Sequence, residues 1–577
     1  MINKYAFRHK PKSNMCFAYN EKEVEIRFKA KTNDLTRVEL FYGDKYDLNS
    51  FQAVAMEKAF SDFEYDYYIA RVMVDSKRLA YRFNLYADEL VGYYTEWGFV
   101  NDVDMTDEFT IHKYLMHYPY INKVDIHEVP EWVKGAVFYQ IFPERFCNGN
   151  DEISPNNKVK WDAKPTRDNF FGGDLVGIHQ KLEYLADLGV NAIYITPIFE
   201  ATTNHKYDTI DYYKIDPHFG DKETLKKLVK KAHGLNIKVV LDSVFNHSGY
   251  KFDKFLDVKK NGENSKYKDW FYIKEFPINE EELNYETFGF EPKMPKLNTS
   301  NEAVKEFLLD VATYWIKETD IDGWRLDVAN EIDHKFWRKF RKAVKTVKPD
   351  AYIVGEVWHN SYAWLQGDQF DAIMNYPIQT ACYEFFAKNK IDLANFKYKV
   401  NRTYFDYSTQ ANEIMMNLLD SHDTPRFLTE AKGNKRALIM AFVFELFYLG
   451  CTSIYYGTEI GLEGKGDPDC RKAMPWEKRK WNKKLLQEYK ALIKISNENQ
   501  VLKNGDFRWI DEENILAFKR ISETSEIQIY INNSKKEQHV TLKNSIICRD
   551  LMRNTDMPLN SEFSLKPDEY KIIKMRA

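Results

Sequence analysis

Two hydrophobic rhythms alternate between residue 132 and about residue 490. Short strand-like runs stand at 137–143, 192–198, 238–244, 323–328, 352–358, 372–376, 413–420 and 452–459. Helix-like stretches separate most of them, as at 175–188, 222–233, 303–319, 334–347 and 436–449. Strands alternating with helices predict a parallel sheet, and eight such units predict an α/β chain with a (β/α)8 barrel. Ahead of this region the rhythm is strict alternation, at 23–28, 37–42, 66–72 and 81–86. Short alternating runs with polar breaks predict a β-sandwich. Alternation returns at 515–518 and 526–531 and predicts a smaller C-terminal β-sandwich. The stretch after the third barrel strand is too long for a βα loop and predicts a small inserted domain. The expected division is 1–123, then 124–244 with 301–498 for the barrel, 245–300 for the insertion and 499–577 for the tail.

Composition narrows the class. The 577 residues are too many for one core, and 44% hydrophobic content excludes a disordered chain. Lys plus Arg is 83 against 87 for Asp plus Glu, a net charge of −4. That balance argues against a nucleic-acid binder. Aromatic residues reach 15%, which suits carbohydrate stacking and β-rich cores alike. The six cysteines have no CxxC spacing, so neither a zinc site nor a disulfide framework is expected. Residues 1–20 hold no apolar signal core, and there is no apolar run of membrane length. The expectation is a cytoplasmic protein with reduced thiols.

The candidate chemistry lies where the strands end, because the C-terminal face of such a barrel carries the active site. The third strand ends in Asp242-Ser243-Val244-Phe245-Asn246-His247, and the fourth holds Arg325 and Asp327. The fifth runs into Gly355-Glu356-Val357-Trp358, and the seventh into Asp420-Ser421-His422-Asp423. One strand-end carboxylate is an ordinary helix cap. Asp327, Glu356 and Asp423 crowding one rim is costly, since like charges oppose each other's ionisation. Chemistry that needs carboxylates with separated protonation is glycosyl transfer. On this reading Asp327 stays ionised beside Arg325 and attacks an anomeric carbon. Glu356, with no evident cation beside it, keeps a proton for the leaving oxygen. Asp423 holds sugar hydroxyls, and His247 and His422 hydrogen-bond the same ring.

The segments 242–247, 323–331, 355–359 and 418–423 resemble the four signature regions of the α-amylase family of glycoside hydrolases. The resemblance covers nearly the whole chain. It implies Asp327 as nucleophile, Glu356 as acid/base and Asp423 as transition-state stabiliser in a retaining mechanism. It also implies Asp242, His247, Arg325 and His422 as sugar-binding or structural residues, and Tyr207 as a sugar-stacking ring. Met294-Pro295-Lys296-Leu297-Asn298, Val328-Ala329-Asn330-Glu331 and Asp467-Pro468-Asp469-Cys470-Arg471 resemble the neopullulanase, cyclomaltodextrinase and maltogenic amylase group. The implied roles are substrate binding on the non-reducing side for Asp467 and Arg471, and on the leaving-group side for Glu331 and Trp358.

The same resemblance implies a Ca²⁺ loop at Asn148, Asn150, Gly172 and Asp174, and here the chain departs from the pattern. Asn150 stands where an Asp is expected, and Ile153-Ser154 where an Asn-Asp pair follows, which removes charged ligands. An N-terminal sandwich of the carbohydrate-binding-module kind is typical of the group. It implies a homodimer in which that sandwich narrows the partner's cleft. The aromatic stretch 93–99 suits such an interface or the sandwich's own core. Three activities stay open: hydrolysis of α-1,4-glucosidic bonds in cyclodextrins, maltooligosaccharides and pullulan; transglycosylation; and a non-catalytic glucan-binding role, which the three retained carboxylates disfavour.

Overall fold

The computed structural model describes residues 2–103, 108–542, 547–558 and 561–575. Eight strands form its central sheet: β1 (Val137–Ile141), β2 (Ala192–Ile195), β3 (Lys238–Ser243), β4 (Gly323–Leu326), β5 (Tyr352–Gly355), β6 (Ala372–Ile373), β7 (Met416–Leu418) and β8 (Cys451–Tyr455). Their order is β6-β5-β4-β3-β2-β1-β8-β7, with every pairing parallel. A parallel bridge between Met374 and Met416 joins the two ends, so the sheet closes into the expected barrel.

The helices begin where the sequence supplies a cap. Asp174, Asp221, Asn301, Asp333 and Asn434 each accept backbone N–H groups in the first turn of the helices Leu175–Leu188, Lys222–Gly234, Glu302–Thr319, His334–Val347 and Lys435–Phe447. These side chains satisfy donors that a helix start leaves unpaired. The last of these helices is buried along its length, from Ala437 to Phe447.

The N-terminal part has two antiparallel sheets. One orders Cys16–Ala18, Glu23–Lys31, Tyr65–Met73 and Glu57–Ser61; the other is built on Arg37–Asp44 and Leu79–Ala87. The aromatic stretch divides. Tyr94 and Phe99 pack against Phe7 within this sandwich, and Tyr94 also meets Phe28. Trp97 is 73% exposed. The C-terminal part is a six-stranded sheet around Glu526–Asn532 with a two-stranded partner, Gln538–Thr541 and Glu562–Leu565.

The N-terminal sandwich is fixed to the barrel by a buried polar knot. Arg27 donates to the Tyr407 carbonyl at 2.7 Å and to Thr409 Oγ1 at 2.9 Å. Its Nε reaches Glu25 at 2.9 Å, and the Thr409 hydroxyl donates to the same carboxylate. Phe60 and Tyr67 pack on Phe405 beside it. Buried charges are stable only when paired and hydrogen-bonded, and here both conditions hold.

Between β3 and the helix Glu302–Thr319, the chain forms the helix Asp253–Asn261 and a set of turns. The segment 294–298 returns alongside β3's end, where Lys296 bridges to His247. That return sets the insertion against the C-terminal mouth of the barrel.

Candidate active site

The mouth holds a cleft of about 590 Å³. Asp327, Glu356 and Asp423 line it with Tyr207, His247, Trp358, Asp467 and Arg471. Asp242, Arg325 and His422 are buried behind these groups. Glu331 stands to one side, tied to Lys296 at 3.3 Å and facing Asn246 at 3.4 Å.

Arg325 is fully buried and serves three carboxylates. Nη1 reaches Asp327 at 2.9 Å and Asp242 at 3.0 Å, and Nη2 reaches Glu356 at 3.0 Å. The expectation of no cation beside Glu356 is therefore wrong. The same carboxylate accepts the Val328 N–H at 3.0 Å and, on its other oxygen, the Trp358 indole N–H at 3.0 Å. Sequence reasoning missed this because Arg325 was assigned to its near neighbour alone.

Arg325 stands beside Asp327 as expected, but its pull is divided among three carboxylates. Burial pushes the Asp327 carboxyl well above its usual range. The Arg325 guanidinium pulls down, while Glu356 and Asp242 add to the rise. Burial likewise raises Asp242 to about 6, against the pull of Arg325. Three carboxylates around one guanidinium would carry a net charge of −2 if all were ionised. Asp327 and Asp242 therefore titrate together rather than separately.

Val328 pays for its hydrogen bond with conformation. Its φ of 45° is left-handed, a region costly for a β-branched residue. The chain turns there because Asp327 ends the ladder on the Ser243 carbonyl at 3.1 Å. The next N–H then points at Glu356. The strand is accordingly two residues shorter than the pattern predicts.

Asp423 is held from two sides. Arg471 Nη2 approaches one oxygen at 3.3 Å, and His422 Nε2 the other at 3.2 Å. Burial raises its carboxyl, opposed by Arg471 and Arg325. Arg471 also donates to the His422 carbonyl at 2.8 Å and pairs with Asp467 at 3.0 Å. Gln140 donates to His422 Nδ1 at 2.7 Å, so Nε2 carries the ring hydrogen, which the Tyr207 hydroxyl accepts at 2.5 Å. Burial, with Arg471 and Arg325 nearby, holds the His422 pKa far below the usual histidine value, so the ring is neutral. His247 is neutral for the same first reason, its pKa pushed down to about 3 by burial. Its Nε2–H donates to the Tyr207 carbonyl at 3.1 Å, and its ring stacks on Phe288.

Tyr207 lies parallel to the His422 ring at 5.5 Å, and its hydroxyl reaches Asp242 at 3.1 Å. Trp358, half exposed, stacks on Tyr376 at 3.8 Å. Sequence reasoning missed Tyr376, Tyr194, Gln140 and Lys296. Tyr194 donates to Asp242 at 2.5 Å. A signal existed for two of them: Gln140 is a polar residue inside an otherwise apolar strand, and Lys296 lies in the 294–298 motif.

The expected Ca²⁺ loop closes on itself. Asp174 Oδ2 accepts the N–H groups of Gly149 at 3.0 Å and Asn150 at 2.9 Å, and Oδ1 accepts that of Gly177 at 2.6 Å. The Asn150 side chain accepts the Glu152 N–H, and the Asn148 amide donates to Ser154 at 2.8 Å. Lys158 pairs with Asp151 in the same loop. A Cβ on Gly172 would meet Ser154 Oγ at 2.7 Å, so the turn has no slack. With the Asp174 and Asn150 oxygens engaged and an ammonium at Asp151, the Asn148 Oδ1 and the Gly172 carbonyl are too few oxygens for a Ca²⁺ cage. Among the described residues no group of three or more His, Cys, Asp or Glu could hold a metal ion.

Comparison with known proteins places this geometry. Residues 140–514 match the family described as alpha amylase, catalytic domain, and residues 1–122 match the alpha amylase N-terminal ig-like domain. The chain belongs to the alpha-amylase family. Within it, a cyclomaltodextrinase of Geobacillus thermopakistaniensis is 48% identical over 94% of this chain and 93% of its own length. An intracellular maltogenic amylase of Bacillus subtilis is 43% identical, covering 99% of both chains. A solved cyclomaltodextrinase structure superposes with a TM-score of 0.94 at 44% identity, over 99% of each chain. This alpha-amylase family chain is thus a glycoside hydrolase of the cyclomaltodextrinase and maltogenic amylase type. Among the described residues no helix is long and apolar enough to cross a membrane.

Proposed function

We propose that the chain is a retaining hydrolase of α-1,4-glucosidic bonds, acting on cyclodextrins, maltooligosaccharides and pullulan. The observation that supports this most is the grouping of Asp327 and Glu356 on one buried guanidinium at the cleft floor. Asp327 attacks the anomeric carbon as a carboxylate. Glu356, oriented by the Val328 and Trp358 N–H groups, gives its proton to the leaving oxygen and then takes one from the incoming water. Asp423 grips sugar hydroxyls as the ring flattens. When another sugar replaces water the outcome is transglycosylation, with Trp358, backed by Tyr376, offering a stacking face on the acceptor side.

The reading includes work inside the cell, as the B. subtilis relative's name states for that protein. It also includes a homodimer whose N-terminal sandwich, through Trp97, narrows the partner's cleft. Calcium is no part of it, because the loop leaves too few free oxygens for the ion.

The test is the anomeric form of the first products. Two inversions give α-anomers by NMR; β-anomers would remove Asp327 as nucleophile. In parallel, Asp327→Asn and Glu356→Gln should each lower kcat by at least about a thousandfold with the circular dichroism unchanged. Either variant retaining more than about a tenth of kcat would overturn its assigned role.

A further inference from the structure

A second cavity of about 620 Å³ lies against the segment that follows Arg471. Ala473, Pro475 and Trp476 form one wall, and Trp161 stands on another. Its size falls within the range of small-molecule sites. It shares no lining residue with the catalytic cleft.

Both indoles are fixed by their only polar atom. Trp161 donates to the Met474 carbonyl at 2.8 Å, and Trp476 to the Phe146 carbonyl at 2.5 Å. Their hydrogen-bonding capacity is therefore spent inside the protein. What they offer the cavity is aromatic surface in a set orientation.

The remaining lining is polar and of mixed sign. Lys158 pairs with Asp151, and Lys480 with Glu477. Lys160 and Lys181 meet no carboxylate among the described residues, and Lys181 lies 4.4 Å from the Trp476 ring centre. Asp162 adds a carboxylate, and Gln180, whose amide donates to the Gly149 carbonyl at 3.2 Å, keeps its oxygen free.

The ligand class follows by elimination. A purely apolar molecule would strip water from ammonium and carboxylate groups without replacing it. A compact anion would meet the acidic members of the lining. A neutral polyhydroxylated ring satisfies both surfaces: its C–H face lies on an indole, and its hydroxyls take up donors and acceptors of either sign.

We propose that this cavity is a second, non-catalytic binding site for a short α-glucan oligosaccharide. The choice of α-glucan rests on the function proposed above. The site holds a chain beside the catalytic cleft, because the segment 471–476 walls both. Met474 lies between them, its carbonyl bound by Trp161 and its N–H donating to the Arg145 carbonyl at 2.8 Å.

The experiment is a calorimetric titration of the full-length Asp327→Asn variant with maltohexaose, alongside hydrolysis of maltohexaose by the wild type. The expected result is two sites per chain. Adding Trp161→Ala, or the pair Lys160→Ala and Lys181→Ala, should weaken one site at least fivefold. The same changes in the wild-type background should alter kcat/KM on a short cyclodextrin less than twofold. One site per chain would overturn the inference, as would two sites whose affinities ignore both sets of substitutions. Absent hydrolysis by the wild type would instead overturn the functional reading, and the substitutions would still decide whether the cavity binds glucan.

Discussion

Removing the guanidinium of Arg325 should be costly in a way that depends on pH. In the Arg325→Met variant, Asp242, Asp327 and Glu356 lose the cation that lies within 3.0 Å of each. Breaking a buried pair by deleting one partner costs about 3–5 kcal/mol, because the other charge is left uncompensated. The sign with pH follows from the direction of the carboxyl shifts. Burial raises Asp327 and Asp242 even with the guanidinium present, so without it they rise further. A raised folded-state pKa contributes stability that is fully present below the unfolded value, near 4, and is lost as pH rises through the folded value. The deficit of the variant should therefore widen between pH 5 and pH 7. Urea unfolding followed by tryptophan fluorescence at the two pH values measures it. Adding Asp242→Asn removes one of the stranded charges and should recover about 1–3 kcal/mol at pH 7, a coupling expected of groups in direct contact. A deficit below about 1 kcal/mol at pH 7, or one that is the same at both pH values, would refute the shared-cation account.

Dialysis against EDTA should leave kcat and the thermal midpoint unchanged, since Asp174 and Asn150 are already engaged by backbone N–H groups; a midpoint that falls, and returns with Ca²⁺ alone, would contradict this. Burial holds both His127 and His247 at about 3, so their contribution is complete above the unfolded value near 6.5 and is lost as pH falls toward 3. Each costs about 2 kcal/mol by pH 5, while the raised carboxyls of Asp242, Asp327 and Asp423 act in the opposite sense, so His127→Asn should lose less stability than the wild type between pH 7 and pH 5 in urea unfolding, and an equal loss would count against it. Trp97→Glu should convert a dimer to a monomer in sedimentation and lower the cyclodextrin-to-starch activity ratio; a wild type that sediments as a monomer yet prefers cyclodextrin would remove the dimer explanation.

The barrel was legible because its strands and helices carry opposite rhythms, and each of the five recognised helices starts at an Asp or Asn that caps it. The strand Asp47–Ala55 was not, since most of its residues face water and lack alternation. The helices Tyr376–Cys382 and Leu393–Asp406 were missed where aromatic and polar residues blur the period. At the site, the strand-end acids could be read from the chain, because a strand's end fixes where its last residues stand. Their electrostatics could not. Arg325 reaches Asp242, 83 residues earlier, and Glu356, 31 residues later, and only the closed barrel makes these neighbours. The left-handed Val328 was equally hidden, since nothing in a Val signals a positive φ.

The knot of Arg27, Glu25 and Thr409 has a consequence for how the N-terminal sandwich can be studied and altered. An accessory module on a linker can be cut away without harm to its neighbour. This one lends Phe60 and Tyr67 to the barrel's own apolar core, and its arginine occupies the Tyr407 carbonyl. Excision would leave bare aromatic surface and a newly exposed carbonyl on the catalytic part. A truncated enzyme that lost its taste for cyclic substrates would then report damage as readily as a missing wall. The two parts are one unit of stability, and the sandwich is free to vary only on the side facing away from Arg27.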